Sequence, residues 1–364
     1  MRVIMTGGGT GGHIYPAIAI ADKIVERTND TEVLFVGTRH GLEKDLVPHA
    51  GYEIKFITVR GINRKNPIKN IKVFADYNKG KRQARRIIEE FKPDLVIGTG
   101  GYASSPVVRI AAQMGIPSYI QEQNAFPGIT NKMLEKHVNK VFLGFEEAAK
   151  YFKHPEKHVV TGNPVRADFF NFDRKASRER LGLTDDDFML LSFGGSQGAG
   201  RINKAMLSVC EKYSGERGMQ VYFATGKAYY EPVMTEINDL GFNLAPNIHI
   251  MEYIRNMQVY LAAADLVVAR SGALTVSEIA ICGRPSILVP SPNVTGDHQT
   301  FNARAIADKG GAVLLPESEL DGERLFEEIE RLSKDRQALE VMSEKAKESA
   351  PMDATDIIYY SLIT

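Results

Sequence analysis

Short apolar runs alternate with amphipathic segments along the whole 364-residue chain. In the amino-terminal half, apolar runs of strand length lie near residues 3–4, 33–36, 54–57, 95–97, 118–120 and 141–143. Segments with the apolar spacing of a helix separate several of these runs, for example 17–27 and 107–114. Strands that alternate with helices form parallel sheets, so this half is predicted to be a doubly wound α/β domain.

The carboxyl-terminal half repeats the pattern, with apolar runs at 189–192, 221–224, 248–251, 266–269, 287–289 and 313–315. We therefore predict an α/β protein of two doubly wound, Rossmann-like domains, 1–163 and 164–344. Glycine and proline mark the joint at 162–166. A helix at about 345–364 is expected to pack back on the first domain. We expect the two domains to face a cleft, because open α/β sheets bind ligands beyond the carboxyl ends of their strands.

Glycine-rich segments follow three of the predicted strands, at 6–13, 98–104 and 194–198. Glycine permits positive φ and close approach of a ligand, and the free amides of a helix amino terminus attract anions. Pro16 and Pro106 are expected in the first turn of the following helices. These segments predict phosphate or pyrophosphate sites. For 98–104, a turn that serves only tight packing is the alternative.

Two familiar nucleotide motifs fit poorly. Gly7, Gly9 and Gly12 satisfy the GxGxxG spacing of nicotinamide enzymes, but the strand at 33–36 runs into Gly-Thr-Arg without the acidic residue that binds a ribose. Neither of the glycine segments at 6–13 and 194–198 continues into the Lys-Ser/Thr pair of a P-loop ATPase. Hydride transfer and ATP hydrolysis are therefore disfavoured.

Charge and cysteine content narrow the class further. Basic and acidic residues number 45 each, which argues against a nucleic-acid partner. Cys210 and Cys282 lack metal-ligand spacing and are expected to be reduced core thiols. We recognise no signal peptide and no apolar run long enough for a bilayer, so we expect a cytosolic location.

One stretch is strongly basic. Asp76 is the only acidic residue between Arg60 and Arg86, and apolar residues are interspersed. Two interpretations fit, a solvated helix face or a surface that binds an anionic membrane. The basic residues between the two arginines are Arg64, Lys65, Lys69, Lys72, Lys79, Lys81, Arg82 and Arg85.

The second half offers one further candidate site at 271–278, where a strand meets a helix. Glu278 falls in the first turns of that helix. Its carboxylate either accepts two hydrogen bonds from a ribose diol or merely complements the helix dipole, and the sequence leaves both open. The polar segment 296–303 is typical of a capped turn and also suits contact with a ligand.

Taken together, 6–13, 98–104, Gln123-Asn124, 162–166, 194–198 and 271–278 resemble the MurG family of bacterial glycosyltransferases, and the resemblance covers essentially the whole chain. It implies GT-B architecture and inverting transfer of N-acetylglucosamine from UDP-N-acetylglucosamine. The implied acceptor is undecaprenyl-pyrophosphoryl-N-acetylmuramyl-pentapeptide, in peptidoglycan synthesis. It also implies a peripheral position on the cytoplasmic face of the membrane, with an anionic lipid surface as partner.

The resemblance assigns the acceptor and the membrane to domain 1–163 and the UDP-sugar to domain 164–344. Glu278 would bind the ribose hydroxyls, Ile254 would lie beside uracil and Ser196 near the phosphates. We expect Gly100, Gly101 and Tyr102 to bind the acceptor pyrophosphate. The full set of implied donor-binding residues is Thr10, Gly11, Gly12, Asn124, Arg166, Ser196, Ile254, Ala273, Leu274, Thr275, Val276, Ser277, Glu278 and Gln299.

Sugar transfer needs a base for the acceptor hydroxyl and a way to stabilise the departing UDP. His13 is the candidate base, because imidazole titrates near neutrality; capping the helix or binding pyrophosphate is the equal alternative. No DxD-like metal clamp is evident, so we expect backbone amides and a helix dipole to act on UDP, without a metal or cofactor. The alternatives are a diacylglycerol glycosyltransferase, a nucleotide-sugar epimerase and a non-catalytic sensor.

Overall fold

The computed structural model describes residues 1–61, 70–195, 197–242, 244–350 and 353–363. Contacts divide the chain into two units, Met1–Val165 with Pro351–Thr364, and Arg166–Ala350. We name the first unit the amino-terminal domain and the second the carboxyl-terminal domain. Ser196 and the basic residues Arg64, Lys65 and Lys69 lie outside the described residues.

Seven parallel strands form the sheet of the amino-terminal domain: β1 (Arg2–Gly7), β2 (Glu32–Gly37), β3 (Glu53–Phe56), β4 (Leu95–Gly100), β5 (Ser118–Glu122), β6 (Lys140–Leu143) and β7 (His158–Val160). Their order is β3-β2-β1-β4-β5-β6-β7. The helices are α1 (Gly11–Arg27), α2 (Glu43–His49), α3 (Asn70–Phe91), α4 (Gly101–Gln113) and α5 (Ile129–Leu134). The strand order reverses between β1 and β4, which is where such sheets bind ligands.

Helices cover both faces of this sheet. Ile4 of β1 packs in one apolar layer with Leu34 and Val96, whereas its neighbours Val3 and Met5 pack in the opposite layer. All three β1 residues are fully buried. A strand that is buried on both faces is apolar at successive positions, which explains the continuous apolar runs in the sequence.

The carboxyl-terminal domain repeats the architecture with six parallel strands: β8 (Phe188–Phe193), β9 (Met219–Ala224), β10 (Ile248–Met251), β11 (Leu266–Ala269), β12 (Ser286–Leu288) and β13 (Val313–Leu314). Their order is β10-β9-β8-β11-β12-β13. The helices are α6 (Arg174–Arg180), α7 (Gly200–Tyr213), α8 (Tyr230–Asp239), α9 (Met257–Ala263), α10 (Ala273–Ile281), α11 (His298–Ala307), α12 (Gly322–Ser333) and α13 (Arg336–Glu348). The predicted pair of doubly wound domains is confirmed.

The last helix, α14 (Ala354–Ile363), packs on α1 in the amino-terminal domain. Ile358 is fully buried in the core layer that contains Val3 and Met5. Arg27 donates to Asp356 over 3.0 Å, and Lys140 Nζ donates to the carbonyl of Ser361 over 2.7 Å.

The expected starts of two helices are wrong. α1 begins at Gly11 and α4 at Gly101, so Pro16 and Pro106 lie in the second turn of each helix rather than in the first. A proline in the second turn removes one backbone hydrogen bond, which is why the sequence favoured a later start. In α4 the hydroxyl of Ser104 donates to the carbonyl of Gly100 over 2.7 Å and stabilises the first turn. Both helices therefore begin inside their glycine segments.

Candidate active site

The amino terminus of α1 presents free backbone amides. Thr10 precedes the helix, and its carbonyl accepts from the amides of His13 and Ile14 at 3.1 and 3.3 Å. Gly11 and Gly12 form the first turn, and no side chain caps it. First-turn amides have no partner within the helix and carry partial positive charge. Gly11 and Gly12 are therefore suited to bind an anion.

A buried carboxylate holds the preceding glycines. Glu43 of α2 is fully buried, and it accepts from the amide of Gly9 at 2.8 Å and from the amide and hydroxyl of Thr38 at 2.9 and 2.6 Å. A Cβ on Gly8 would lie 2.6 Å from Glu43 Oε1. The amide of Gly9 therefore already has a hydrogen-bond partner within the protein. The amides suited to bind an anion are those of Gly11 and Gly12. The role of Glu43 was not predicted from the sequence, because its partner Gly9 lies 34 residues away along the chain.

The two glycine segments of this domain touch each other. The hydroxyl of Thr99 donates to the carbonyl of His13 over 2.7 Å. Gly101 has a φ of +79°, and a Cβ there would lie 2.3 Å from the carbonyl oxygen of Gly8. A Cβ on Gly100 would meet His13 Nδ1 at 2.8 Å. Glycine at these positions thus allows the start of α4 to pack directly against the start of α1.

His13 and Asn124 both lie next to Gln123, His13 by side-chain contact and Asn124 by its place in the chain. His13 is half-buried, and its Nδ1 lies 2.8 Å from Oε1 of Gln123, just beyond β5. Asn124 donates to Glu122 from its backbone at 3.0 Å and from its side chain at 3.1 Å. Tyr102, in the first turn of α4, is 56% exposed. The structure therefore brings His13, Gly100 and Gly101 together at the starts of α1 and α4, and Asn124 follows directly after the Gln123 that contacts His13.

In the carboxyl-terminal domain, the helix α10 begins directly after the short turn that follows β11. Gly272 is the residue before the helix, and its carbonyl accepts from the amide of Val276 over 2.9 Å. No side chain caps the first turn, so the amides of Ala273, Leu274 and Thr275 are available to an anion. The side chain of Asn302 holds the turn through the carbonyl of Ser271 at 3.2 Å.

Glu278 lies in the second turn of α10 and is half-buried. Burial raises the pKa of its carboxyl to about 7, while the charge of Arg166 lowers this pKa and that of Asp168 raises it. A carboxyl that titrates near neutrality and lies beside an anion-ready helix start is a candidate ligand-binding group. Ser277 donates to the carbonyl of Ala273 at 3.0 Å and therefore has a structural role within the helix.

The remaining predicted donor-binding residues of this domain differ in their exposure and in the contacts that they already make within the protein. Ile254 is only 4% exposed. Gln299 accepts from the amide of Ser291 over 2.8 Å through its Oε1, so that oxygen is used within the domain. Arg166 is exposed and lies 3.6 Å from Asp168. Ser196 lies outside the described residues.

Metal-ligand groups and reactive thiols can be examined among the described residues. In the parts of the chain that the structure describes, no group of three or more His, Cys, Asp and Glu side chains is placed to hold a metal ion. Cys210 and Cys282 are free and fully buried, which confirms them as core thiols. Burial raises the pKa of each to about 12, so both are inert thiols.

Both domains of the chain match known glycosyltransferases. Residues 3–143 match the glycosyltransferase family 28 N-terminal domain and residues 189–357 match the glycosyltransferase family 28 C-terminal domain. The UDP-N-acetylglucosamine--N-acetylmuramyl-(pentapeptide) pyrophosphoryl-undecaprenol N-acetylglucosamine transferase of Acetivibrio thermocellus is 46% identical over 359 residues, 99% of this chain and 96% of that protein. The protein of the same name from Desulforamulus reducens is 45% identical over 361 residues, 98% of this chain and 97% of that protein.

A solved structure extends the likeness to three dimensions. The crystal structure of Acinetobacter baumannii MurG matches with a TM-score of 0.78 and 29% sequence identity, covering 98% of this chain and 97% of that chain. Sequence identity of this extent, together with the paired doubly wound domains, confirms the resemblance found in the sequence. The chain therefore belongs to the MurG family of GT-B glycosyltransferases.

Proposed function

We propose that this chain transfers N-acetylglucosamine from UDP-N-acetylglucosamine to undecaprenyl-pyrophosphoryl-N-acetylmuramyl-pentapeptide, the step from lipid I to lipid II in peptidoglycan synthesis. The observation that carries the proposal is identity of 46% over 99% of the chain to a transferase named for this reaction. The uncapped helix starts of both domains supply the chemistry that two diphosphate substrates need.

The carboxyl-terminal domain binds the donor in this proposal. The first-turn amides of α10 face the UDP diphosphate and stabilise the negative charge that develops as UDP leaves. Glu278 accepts from the ribose hydroxyls, and Ile254 lies beside the uracil. Since the Oε1 of Gln299 is used within the domain, its Nε2 amide makes the donor contact. Ser196 and Arg166 complete the assignment near the phosphates.

The amino-terminal domain supplies a second diphosphate site and the base. Gly11 and Gly12 at the start of α1, with Thr10 and Asn124, contact UDP-N-acetylglucosamine. Residues 100–102 at the start of α4 bind the acceptor pyrophosphate. Contact between the two helix starts supports this assignment, because it brings two sets of amides together. His13 is the base in the same cluster.

The reaction is a single displacement. An oxygen of the acceptor sugar bonds to C1 of N-acetylglucosamine, and the bond between C1 and the UDP oxygen breaks with its electron pair leaving on UDP. Nε2 of His13 takes the hydroxyl proton. Attack opposite the leaving group inverts the anomeric centre, so an α-linked donor gives a β-linked product.

We propose that α3 attaches the protein to the cytoplasmic face of the membrane. Phe74 on this helix is 70% exposed, and Lys79, Arg82 and Arg86 are exposed at spacings that place them on one side of it. Asp76, the only acid in the stretch, lies 2.9 Å from Arg60 and is neutralised by it. No helix in the described parts of the chain is long and apolar enough to cross a bilayer.

A transfer assay with three acceptor conditions tests the function. The purified chain is incubated with UDP-N-acetylglucosamine labelled in the sugar and with lipid I, with diacylglycerol, or with no acceptor. We expect label in the lipid fraction only with lipid I. Label on diacylglycerol would identify a lipid glycosyltransferase. Free UDP and an altered sugar without acceptor would identify an epimerase, and binding without turnover would identify a sensor.

A further inference from the structure

The imidazole of His13 lies against the buried side-chain amide of Gln123. We propose that Gln123 is a positioning residue that keeps the proton of the neutral His13 imidazole on Nδ1, which leaves the Nε2 lone pair free to accept a substrate proton. This inference rests on the proposed transferase function, in which His13 is the base.

The orientation of the Gln123 amide follows from the oxygens around it. Its Nε2 lies 2.7 Å from the carbonyl of Thr99 and 3.2 Å from that of Gln121, and it also contacts Oε1 of Gln121. All three atoms are acceptors, so they require the NH₂ group on that side. The reversed amide would place an oxygen against three oxygens.

With its NH₂ group so directed, Gln123 faces His13 with an oxygen. Gln123 Oε1 lies 2.8 Å from Nδ1 of His13 and has no proton to donate. Nδ1 must therefore be the donor, and the neutral ring carries its proton there. The hydrogen-bond network thus assigns the tautomer from the positions of heavy atoms alone.

A second layer of buried amides holds Gln123 in place. The side chain of Asn163 donates to the carbonyl of Gln123 at 3.0 Å, and Nε2 of Gln121 donates to Oδ1 of Asn163 at 3.1 Å. Gln121 and Asn163 are fully buried, and Gln123 is 2% exposed. Reorienting a buried and satisfied amide network leaves several groups without partners, so its geometry is strongly fixed.

The tautomer matters for catalysis because only a ring nitrogen with a lone pair takes a proton. The other tautomer would present an N–H group at Nε2 and would block transfer. When His13 becomes an imidazolium, Nδ1 still donates to Gln123, so both protonation states are accommodated. In serine proteases the wrong histidine tautomer costs about 10⁴-fold in kcat, which sets the upper limit of the effect.

The tautomer can be measured directly in the protein labelled with ¹⁵N-histidine. Above pH 8, where an ordinary histidine is neutral, long-range ¹H–¹⁵N spectra distinguish Nδ1–H from Nε2–H. The His13 signal is the one that disappears in His13→Ala. We expect Nδ1–H in the wild type and loss of that preference in Gln123→Met, whose side chain has similar length and no amide. Gln113→Met, an exposed position in the same domain, is the matched control and keeps Nδ1–H.

Kinetics test the consequence. We expect Gln123→Met to lower kcat by about 10- to 100-fold, which is no more than the usual contribution of a general base. The Kd for UDP-N-acetylglucosamine and the circular dichroism spectrum should stay unchanged. Gln123→Glu should recover part of the rate in its protonated form, because a neutral carboxyl can donate its one proton to the Thr99 carbonyl and still offer its other oxygen to Nδ1–H. The ionised form would place an oxygen against the acceptors around Gln123, so this recovery should be lost as pH rises.

Three results would overturn the inference: an Nε2–H tautomer in the wild type, an Nδ1–H tautomer that persists in Gln123→Met, or an altered tautomer with an unaltered kcat. A merely structural role would lower kcat equally in the methionine and glutamate variants and leave the pH profile in place. The spectra need no substrate, so their outcome is independent of whether the wild type glycosylates lipid I.

Discussion

Donor binding should depend steeply on pH through Glu278. In the free protein, burial raises the pKa of this carboxyl to about 7. Only the ionised carboxylate accepts hydrogen bonds from both hydroxyls of a ribose. If the donor binds only the ionised form, the apparent Kd is multiplied by one plus the ratio of protonated to ionised Glu278. That factor is about 11 at pH 6 and about 1.1 at pH 8, a tenfold change.

Isothermal titration calorimetry with UDP-N-acetylglucosamine measures this dependence. The sugar nucleotide is preferable to UDP because its diphosphate has no proton to lose in this range. Near pH 7 about half of the free protein carries the Glu278 proton, so binding should release about half a proton, seen as a dependence of the heat on the buffer. Glu278→Gln should bind more weakly, with a Kd that is flat from pH 6 to pH 8. A wild-type Kd that is equally flat, with no proton release, refutes the reasoning.

Three further variants test stability and membrane binding. A carboxyl whose pKa is raised from 4.5 to about 7 in the folded state destabilises the fold as pH rises through 7. The free energy of unfolding of Glu278→Gln without ligand, measured in urea, should therefore exceed that of the wild type by about 1–3 kcal/mol at pH 8.5 and by little at pH 5. An equal difference at the two pH values would contradict this prediction. Glu43→Gln should lower the free energy of unfolding in urea by roughly 2–4 kcal/mol, because an NH₂ group would replace a buried acceptor oxygen. A decrease below about 0.5 kcal/mol would exclude a role of Glu43 in holding the glycine segment. Replacing Lys79, Arg82 and Arg86 together by Ala should weaken binding to anionic vesicles roughly 100-fold, because each charge contributes about 1 kcal/mol. Turnover on a soluble acceptor analogue should stay unchanged, and equal losses of vesicle binding and turnover would indicate misfolding.

The periodicity of apolar residues was sufficient to predict both sheets. Strands buried on two faces have continuous apolar runs, and β11, which is buried at all its positions, lies where the run at 266–269 predicts it. β7 was not predicted; it has three residues, of which only Val159 and Val160 are apolar. Partial burial at an edge does not by itself hide a strand, because the edge strands β3 and β13 are also partly buried and their apolar runs predicted them.

The site was predictable only where its chemistry is local. The glycine segments and the helix starts that follow them can be recognised from neighbouring residues. The holding groups cannot, because Glu43 and Gly9 are 34 residues apart and His13 and Gln123 are 110 residues apart. Gln123 was noticed only as part of a family motif, and its partner became evident from the fold. The assignments of individual residues to donor and acceptor remain predictions.

The configuration of the product tests the central claim most directly. The purified chain is incubated with UDP-N-acetylglucosamine and a soluble analogue of lipid I, and the disaccharide product is examined by ¹H NMR at the anomeric position of the transferred sugar. A β-linked N-acetylglucosamine on the acceptor is the result expected of a single displacement at C1 of an α-linked donor. An α linkage, or no disaccharide at all, would contradict the mechanism.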